Sequence, residues 1–296
     1  MTGSPTLNDS PGARLRALLA RPGALMLPGC ADPLTAKLAE RAGFEAIYAT
    51  GAGIANSLLG VADVGLTTMT EIADQLRRIT AVVNAAVVVD IDTGFGNAIN
   101  ARRAVQEMER AGAAAVQIED QVFPKRCGHF SGKDVISQAE MVAKLHAVLD
   151  ARRDPSLVVI ARTDAIAVHG FEAGVARALA YAEAGADMIF VEAATTDEQL
   201  AALPRLISAP LVANMVEGGK TPLHSVAELG DMGYGAVIFA NAAMRMAAAA
   251  VRDTFAEMRA TGDTRGLLDR MLSWPDRQAL VGLPEIEALE ARYRVD

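Results

Sequence analysis

Cysteine is almost absent from this chain. It has two, Cys30 and Cys127, in 296 residues, too few for a disulfide framework, and a reducing compartment is the expectation. Aromatic residues make up only 4%, and the net charge is -8. No basic cluster interleaved with aromatics is present, so a general nucleic-acid surface is excluded. No uncharged apolar run approaches the roughly 18 residues of a membrane span; even the alanine-rich stretch from Ala242 is broken by Arg245 and Arg252. The Gly/Ser/Pro/Thr-rich start lacks the apolar core of a signal peptide, and residues 1–14 are expected to form a mobile tail. Zinc-type spacings, His-x-x-x-His or Cys-x-x-Cys, do not occur, and neither does a Gly-x-Gly-x-x-Gly turn after the first apolar run. A cytoplasmic protein with neither nucleic-acid nor membrane partners is expected.

Apolar residues are plentiful, at 51%, enough for one large domain spanning 15–296. A joint recurs along it. Glu40-Arg41-Ala42-Gly43, Glu109-Arg110-Ala111-Gly112, Ala182-Glu183-Ala184-Gly185 and Asp231-Met232-Gly233 each precede a short apolar run. Each reads as a helix end, a glycine suited to a left-handed cap, and then a strand covered on both faces. Eight such runs are present, near Leu25–Pro28, Ala46–Thr50, Ala85–Asp92, Ala114–Asp120, Leu157–Asp164, Met188–Ala193, Leu211–Met215 and Ala236–Ala240. Amphipathic stretches such as Ala98–Ala111, Gln138–Ala151 and Phe171–Ala184 separate them. Eight alternations predict a (β/α)8 TIM barrel, with an open doubly wound sheet as the alternative. Helical sequence then continues over Ala242–Thr261 and Thr264–Tyr293.

Barrel chemistry sits at the carboxyl ends of the strands, and polar residues collect there: Asp90 and Asp92 on the third, Glu119 and Asp120 on the fourth, Arg162 and Asp164 on the fifth, Glu192 on the sixth and Asn214 on the seventh. Salt bridges at the barrel rim are the bland explanation, and Asp120 or Asp164 could serve one. Clustered carboxylates otherwise need a cation, and hard oxygen donors favour Mg2+, or Mn2+, over zinc. Residues two apart in a strand share a face, so Asp90 and Asp92 are expected to point the same way; Asp92 is the expected direct ligand, with Asp90 and Glu119 in support. Beyond the fourth strand, Cys127 is flanked by Lys125, Arg126 and His129; a thiol among cations has a lowered pKa and is available for chemistry. Cys30 has no such neighbours and reads as a small buried hydrophobe. Thr50-Gly51-Ala52-Gly53 follows the second strand, either as a plain tight turn or as a backbone anion cradle.

Lys125-Arg126-Cys127-Gly128-His129 resembles the signature of the isocitrate lyase and phosphoenolpyruvate mutase superfamily. Tyr48-Ala49-Thr50-Gly51-Ala52-Gly53, Asp63-Val64-Gly65, Asp90-Ile91-Asp92-Thr93-Gly94-Phe95-Gly96, Ile118-Glu119-Asp120-Gln121, Ala161-Arg162-Thr163-Asp164-Ala165 and Ala213-Asn214-Met215 extend the likeness over nearly the whole chain. The resemblance implies a TIM barrel, bound Mg2+, and a homotetramer, a dimer of helix-swapped dimers that exchange a C-terminal helix. It implies Asp63, Asp90, Asp92 and Glu119 around the metal. Thr50, Gly51, Ala52, Gly128, Arg162, Glu192 and Asn214 would hold a small carboxylate substrate, and a gating loop within 121–142 would carry the thiol. The cysteine loop is similar to that of the carbon–carbon lyase branch, which includes the 2-methylisocitrate and 2,3-dimethylmalate lyases. That implies Cys127 as general acid, tuned by Lys125 and His129, with Arg162 stabilising developing charge and Tyr48 a candidate base. Oxaloacetate hydrolysis or decarboxylation, phosphonate chemistry, a Schiff-base aldolase using Lys125 and a non-catalytic carboxylate-binding barrel are the competing readings. Phe130 stands where methylisocitrate lyases commonly have arginine, and Phe239-Ala240-Asn241 where lyases often have Tyr-Pro.

Overall fold

A computed structural model of the chain describes residues 10–126, Gly128 and residues 132–295. Cys127, His129 and Phe130, singled out above, lie outside the described residues. The chain divides into two compact units, Met1–Ala242 and Ala243–Asp296.

Eight parallel strands close on themselves in the first unit. They are β1 (Leu25–Cys30), β2 (Ala46–Ala49), β3 (Ala86–Asp90), β4 (Ala115–Glu119), β5 (Val158–Thr163), β6 (Met188–Val191), β7 (Leu211–Asn214) and β8 (Ala236–Phe239). Each pairs with its sequence neighbour, and β8 returns to β1 with Leu25 opposite Ala236 and Pro28 opposite Phe239. The expected TIM barrel is therefore the fold, and the open sheet is not. The repeated joints fold as read: Gly43, Gly112, Gly185 and Gly233 are left-handed, at φ 93°, 90°, 98° and 109°. The residue after each glycine donates back across the cap, Phe44 N to Ala39 O at 3.2 Å and Ala113 N to Met108 O at 3.0 Å, for example. This double closure satisfies the last carbonyls of the helix and turns the chain into the next strand.

Two expectations shift at the ends. The helix Pro11–Leu19 begins inside the stretch read as tail, because the Ser10 side chain accepts from Ala13 N and Pro11 occupies the first turn, where it costs no hydrogen bond. The third strand stops at Asp90, and Asp92 follows in a left-handed conformation at φ 50°. Asp90 and Asp92 are thus not brought to one face by the pleat. A turn does it, with Asp92 N donating to Asp90 Oδ1 at 3.0 Å.

Alternation along the strands sorts the barrel into two cores. Ile47, Val87, Val89, Val116, Ile118, Val159 and Ala161 pack outward with residues of the surrounding helices. Tyr48, Val88, Ala115, Ile160, Phe190, Val212 and Ile238 point inward and fill the lumen. Leu15 and Leu18 of the first helix join this inner set with Ala46, Ala86 and Ala236, residues at the amino ends of their strands, so that end of the lumen is stoppered. Because the side-chain period is two, the inner rows of β3 to β7 continue upward into Asp90, Gln117, Glu119, Arg162, Glu192 and Asn214.

The second unit consists of the rest of the helix Ala242–Thr261, a 3-10 segment Arg265–Arg270, and helices Trp274–Leu280 and Leu283–Tyr293. Phe255, Trp274, Ile286 and Tyr293 are exposed, each at more than half of its full surface. Among the described residues no helix is long and apolar enough to cross a membrane.

Candidate active site

The inner rows deliver their polar ends to one chamber at the carboxyl face of the barrel. Tyr48, Thr50 and Ala52 line it from the second strand and the turn after it; Asp63, Asp90, Lys125 and Gly128 line it from the loops and β3; Arg162, Glu192 and Asn214 line it from β5 to β7. Gly51 lies just behind this wall, where a Cβ would stand 3.0 Å from Asp90 Oδ2 and 3.4 Å from Asp92 Oδ1, so any side chain there would press on the carboxylates. Thr50 caps the short helix 51–54, its Oγ1 accepting from Gly53 N at 3.2 Å, which leaves the hydroxyl proton free to donate.

Arg162 is the hub. Its Nε donates to Asp164 Oδ2 at 2.8 Å and its Nη2 to Asp164 Oδ1 at 3.2 Å, while Glu119 Oε2 lies 3.3 Å and Glu192 Oε2 3.5 Å away. The guanidinium stands 5.0 Å from the centre of the Phe190 ring, a favourable cation–π placement. Lys125 has a place the sequence does not foretell. Rather than only flanking the cysteine, its Nζ is buried between Asp63, with which it forms a short ion pair, and Asp92 Oδ1 at 2.8 Å. The second contact is an ion pair without the alignment of a hydrogen bond.

Six carboxylates (Asp63, Asp90, Asp92, Glu119, Asp164 and Glu192) thus face three cations with buried side chains, Lys125, Lys133 and Arg162, and the exposed Arg126. The titrations follow from that imbalance. Burial first, then repulsion from Asp90 and Asp63, pushes Asp92 up to about 6 against the pull of Lys125. Burial, with Asp164 and Asp90 nearby, raises Glu119 well above the usual range despite Arg162. Asp164 is the exception: burial would raise it, but Arg162 and Lys133 prevail and hold it down to about 2. Burial and the Asp90 charge raise Tyr48 well above an ordinary phenol. Cys30 is buried, and its thiol is pushed up to about 12 by burial and then by Asp32. It is the inert hydrophobe that its neighbours suggested.

A hard divalent cation fits this set. Glu119 Oε1 is buried without a hydrogen-bond partner, Asp92 Oδ1 is held only by the Lys125 charge, and oxygen donors exceed cations. Among the described residues no three of these groups enclose an ion unaided, so a cation held here would keep several waters, as Mg2+ does.

Asp120 has a different job. Its parity along β4 is opposite to that of Glu119, and it turns outward to accept from Thr163 Oγ1 at 2.7 Å, Tyr181 OH at 2.7 Å, Arg177 Nη1 at 3.1 Å and Asp164 N at 2.9 Å. It locks the ends of β4 and β5 together, the structural role allowed for it above. Ala240 and Asn241, singled out at the end of the eighth strand, line the chamber, but sequence reading missed the contributions of Phe190, Val216 and Ile238 to its wall. Their inward parity on β6 and β8, or their place just after β7, was the available signal.

The family model described as phosphoenolpyruvate phosphomutase matches residues 15–259. The chain is 42% identical over 281 residues to the 2,3-dimethylmalate lyase of Eubacterium barkeri, covering 95% of this chain and 97% of that one. It is 46% identical over 283 residues to the 2-methylisocitrate lyase of Aeropyrum pernix, covering 96% and 91%. Solved structures resemble it over nearly its whole length. A 2,3-dimethylmalate lyase described as a PEP mutase/isocitrate lyase superfamily member superposes with a TM-score of 0.90 at 37% identity, covering 96% and 95%. Oxaloacetate acetylhydrolase bound to 3,3-difluorooxaloacetate gives 0.91 at 33%, covering 96% and 97%. Phosphonopyruvate hydrolase complexed with oxalate and Mg2+ gives 0.86 at 34%, covering 96% and 99%. An inward row of carboxylates gathered on one arginine at the mouth of a closed barrel, shared over these lengths with lyases, makes the chain an enzyme of the phosphoenolpyruvate mutase/isocitrate lyase family, on its carbon–carbon lyase side.

Proposed function

We propose that this enzyme is a Mg2+-dependent lyase that cleaves a 2-hydroxy di- or tricarboxylate, of the 2-methylisocitrate or 2,3-dimethylmalate type, into a 2-oxo acid such as pyruvate and a second carboxylate. The observation that carries the reading is the Arg162 guanidinium, aimed into a carboxylate-rich chamber and ringed by Glu119, Asp164 and Glu192. A donor so placed stabilises negative charge developing on a substrate oxygen.

Asp92, Asp90, Glu119 and Asp63 would hold the metal, some through water, with Lys125 keeping the carboxylate group from repelling itself apart. Bound there, the ion supplies Lewis-acid polarisation of substrate oxygens. The chain's own residues do the rest. Thr50, Gly51 and Ala52 offer a hydroxyl and two backbone N–H groups to the carboxylate end of the substrate, and Asn214 and Glu192 bind its other oxygens. Tyr48, kept a neutral phenol by burial and the Asp90 charge, is the candidate to take the C2 hydroxyl proton as it hands its own to Asp90, its hydrogen-bond partner. As that proton leaves, the C2–O bond gains double-bond character and the C2–C3 pair passes to C3, delocalised into the carboxylate there. A proton delivered to C3 completes the second product. Cys127 is the proposed donor, placed in the chain between Arg126 and Gly128, both of which line the chamber.

A second reading, oxaloacetate hydrolysis, draws on the TM-score of 0.91 to oxaloacetate acetylhydrolase. Purified enzyme given 2-methylisocitrate, 2,3-dimethylmalate, oxaloacetate and phosphonopyruvate in turn separates them. Release of pyruvate from one of the first two, lost in EDTA and restored by Mg2+, is expected. Oxalate from oxaloacetate with no pyruvate from the hydroxy acids would install the second reading, and no turnover on any of the four would leave a binding barrel. We further propose that the enzyme is a homotetramer and cytoplasmic; the exposed Phe255, Trp274 and Ile286 of the second unit support a contact between subunits, and light scattering reads the mass of the assembly directly.

A further inference from the structure

One buried cation at the edge of the chamber has no role in the proposed reaction. Lys133 is charged, yet only 2% of its side chain is exposed. Its Nζ makes two short contacts, donating to Gly128 O at 2.6 Å and to Asp164 Oδ1 at 2.6 Å. Both partners press on the same group. Asp164 receives the fork of Arg162 at 2.8 and 3.2 Å. Gly128 packs against the guanidinium so tightly that a Cβ there would sit 2.6 Å from Arg162 Nη2 and 3.0 Å from Glu192 Cδ.

Burying an ammonium group is costly unless it is paired and hydrogen-bonded, so a turn that merely had to close would not bury one. Here the charge changes how Arg162 is shared. Three carboxylates compete for that guanidinium, Asp164, Glu119 at 3.3 Å and Glu192 at 3.5 Å. Asp164 holds the two closest contacts. A second cation on Asp164 Oδ1 offsets part of its pull and leaves the guanidinium free to face Glu119, Glu192 and the chamber. Two of the three ammonium protons are used in this way, one on a carbonyl and one on a carboxylate.

We propose that Lys133 is a positioning residue for the lyase reaction: it clamps the Gly128 carbonyl to Asp164 and so fixes Arg162 between them at the angle the chamber needs. The inference rests on the lyase reading above. Lys133→Ala should lower kcat/KM about 10²-fold, the loss expected when a charge-stabilising group is misplaced by about an ångström. It should also weaken the binding of oxalate, measured by calorimetry with Mg2+ present, about tenfold, the worth of a charged hydrogen bond. Propylamine should restore part of both in Lys133→Ala, saturably, and do nothing for the parent or for Asp164→Asn. A purely structural lysine would give no amine rescue. Should the alanine variant fail to fold, Lys133→Gln, which keeps a donor for Gly128 O without the charge, should show the same direction of loss. Parental turnover and oxalate affinity in either variant would overturn the clamp while leaving the lyase reading intact. A parent enzyme that neither turns over nor binds oxalate would remove both.

Discussion

Replacing Arg162 with lysine keeps the charge and discards the fork, which makes it the sharpest test of how the chamber is held. The guanidinium makes two hydrogen bonds to Asp164 and lies within ion-pair distance of Glu119 and Glu192, all buried. An ammonium on a shorter stem can satisfy one Asp164 oxygen but cannot bridge both while facing Glu119. The loss is therefore about one charged hydrogen bond, ~1.5–3 kcal/mol, plus the face of Phe190 at 5.0 Å, worth a further ~0.5–1 kcal/mol. Arg162→Lys should lose about 2–4 kcal/mol of stability in urea, with an unchanged slope, at fixed protein concentration. Arg162→Met should lose at least as much, ~3–5 kcal/mol, because it strands buried carboxylates without their cation. Both should fall at least 10²-fold in pyruvate release, since a transition-state donor is lost. Arg162→Lys within about 0.5 kcal/mol of the parent, the range of ordinary surface changes, would refute the argument that the fork organises the chamber.

Asp120→Asn should cost about 3 kcal/mol in urea, since an amide cannot accept from Thr163, Tyr181, Arg177 and Asp164 N together; a change below 1 kcal/mol would dissolve its structural role. Asp164 is held down to about 2 by Arg162 and Lys133 against its burial, so its stabilisation is complete above the unfolded value near 4 and is lost as pH falls toward 2. The stability gap between parent and Asp164→Asn should shrink by about 2 kcal/mol over that window, and a gap flat from pH 5 to 2 would contradict it. Gly29→Ala should prevent barrel closure, because its Cβ would stand 1.9 Å from the Ala240 carbonyl oxygen, a backbone atom that cannot swing aside; soluble, fully active protein would count against the β1–β8 seam as described.

The barrel was legible because its signals are local. A glycine after a helix end and a short apolar run report on nearby residues, and the eight strands fall where those runs lie. The strand-end rule also foretold that Asp90, Glu119, Arg162, Glu192 and Asn214 reach the site; the period of two along the strands accounts for it, since they continue rows already apolar below them. That period failed at Asp92, where a left-handed turn replaces the pleat. The pairing of charges was much less legible. Lys125 meets Asp63 across 62 positions, and Lys133 meets Asp164 across 31. Neither separation corresponds to a helix or strand period; the folding of loops over the carboxyl ends of β2, β4 and β5 brings them together. A lysine near a cysteine invites a reading in terms of the cysteine, while the burial that ties it to the carboxylates exists only in three dimensions.

The first helix has a consequence for traffic. With Leu15 and Leu18 driven into the amino end of the lumen, the chamber is a cul-de-sac rather than a passage. Whatever enters by the carboxyl mouth must leave by it, and when one molecule is split into two, the fragment lodged deeper must wait for the outer one. Release in a fixed order follows, and with it a simple kinetic signature: the product that departs last competes with the substrate for the empty enzyme, and the one that departs first does not.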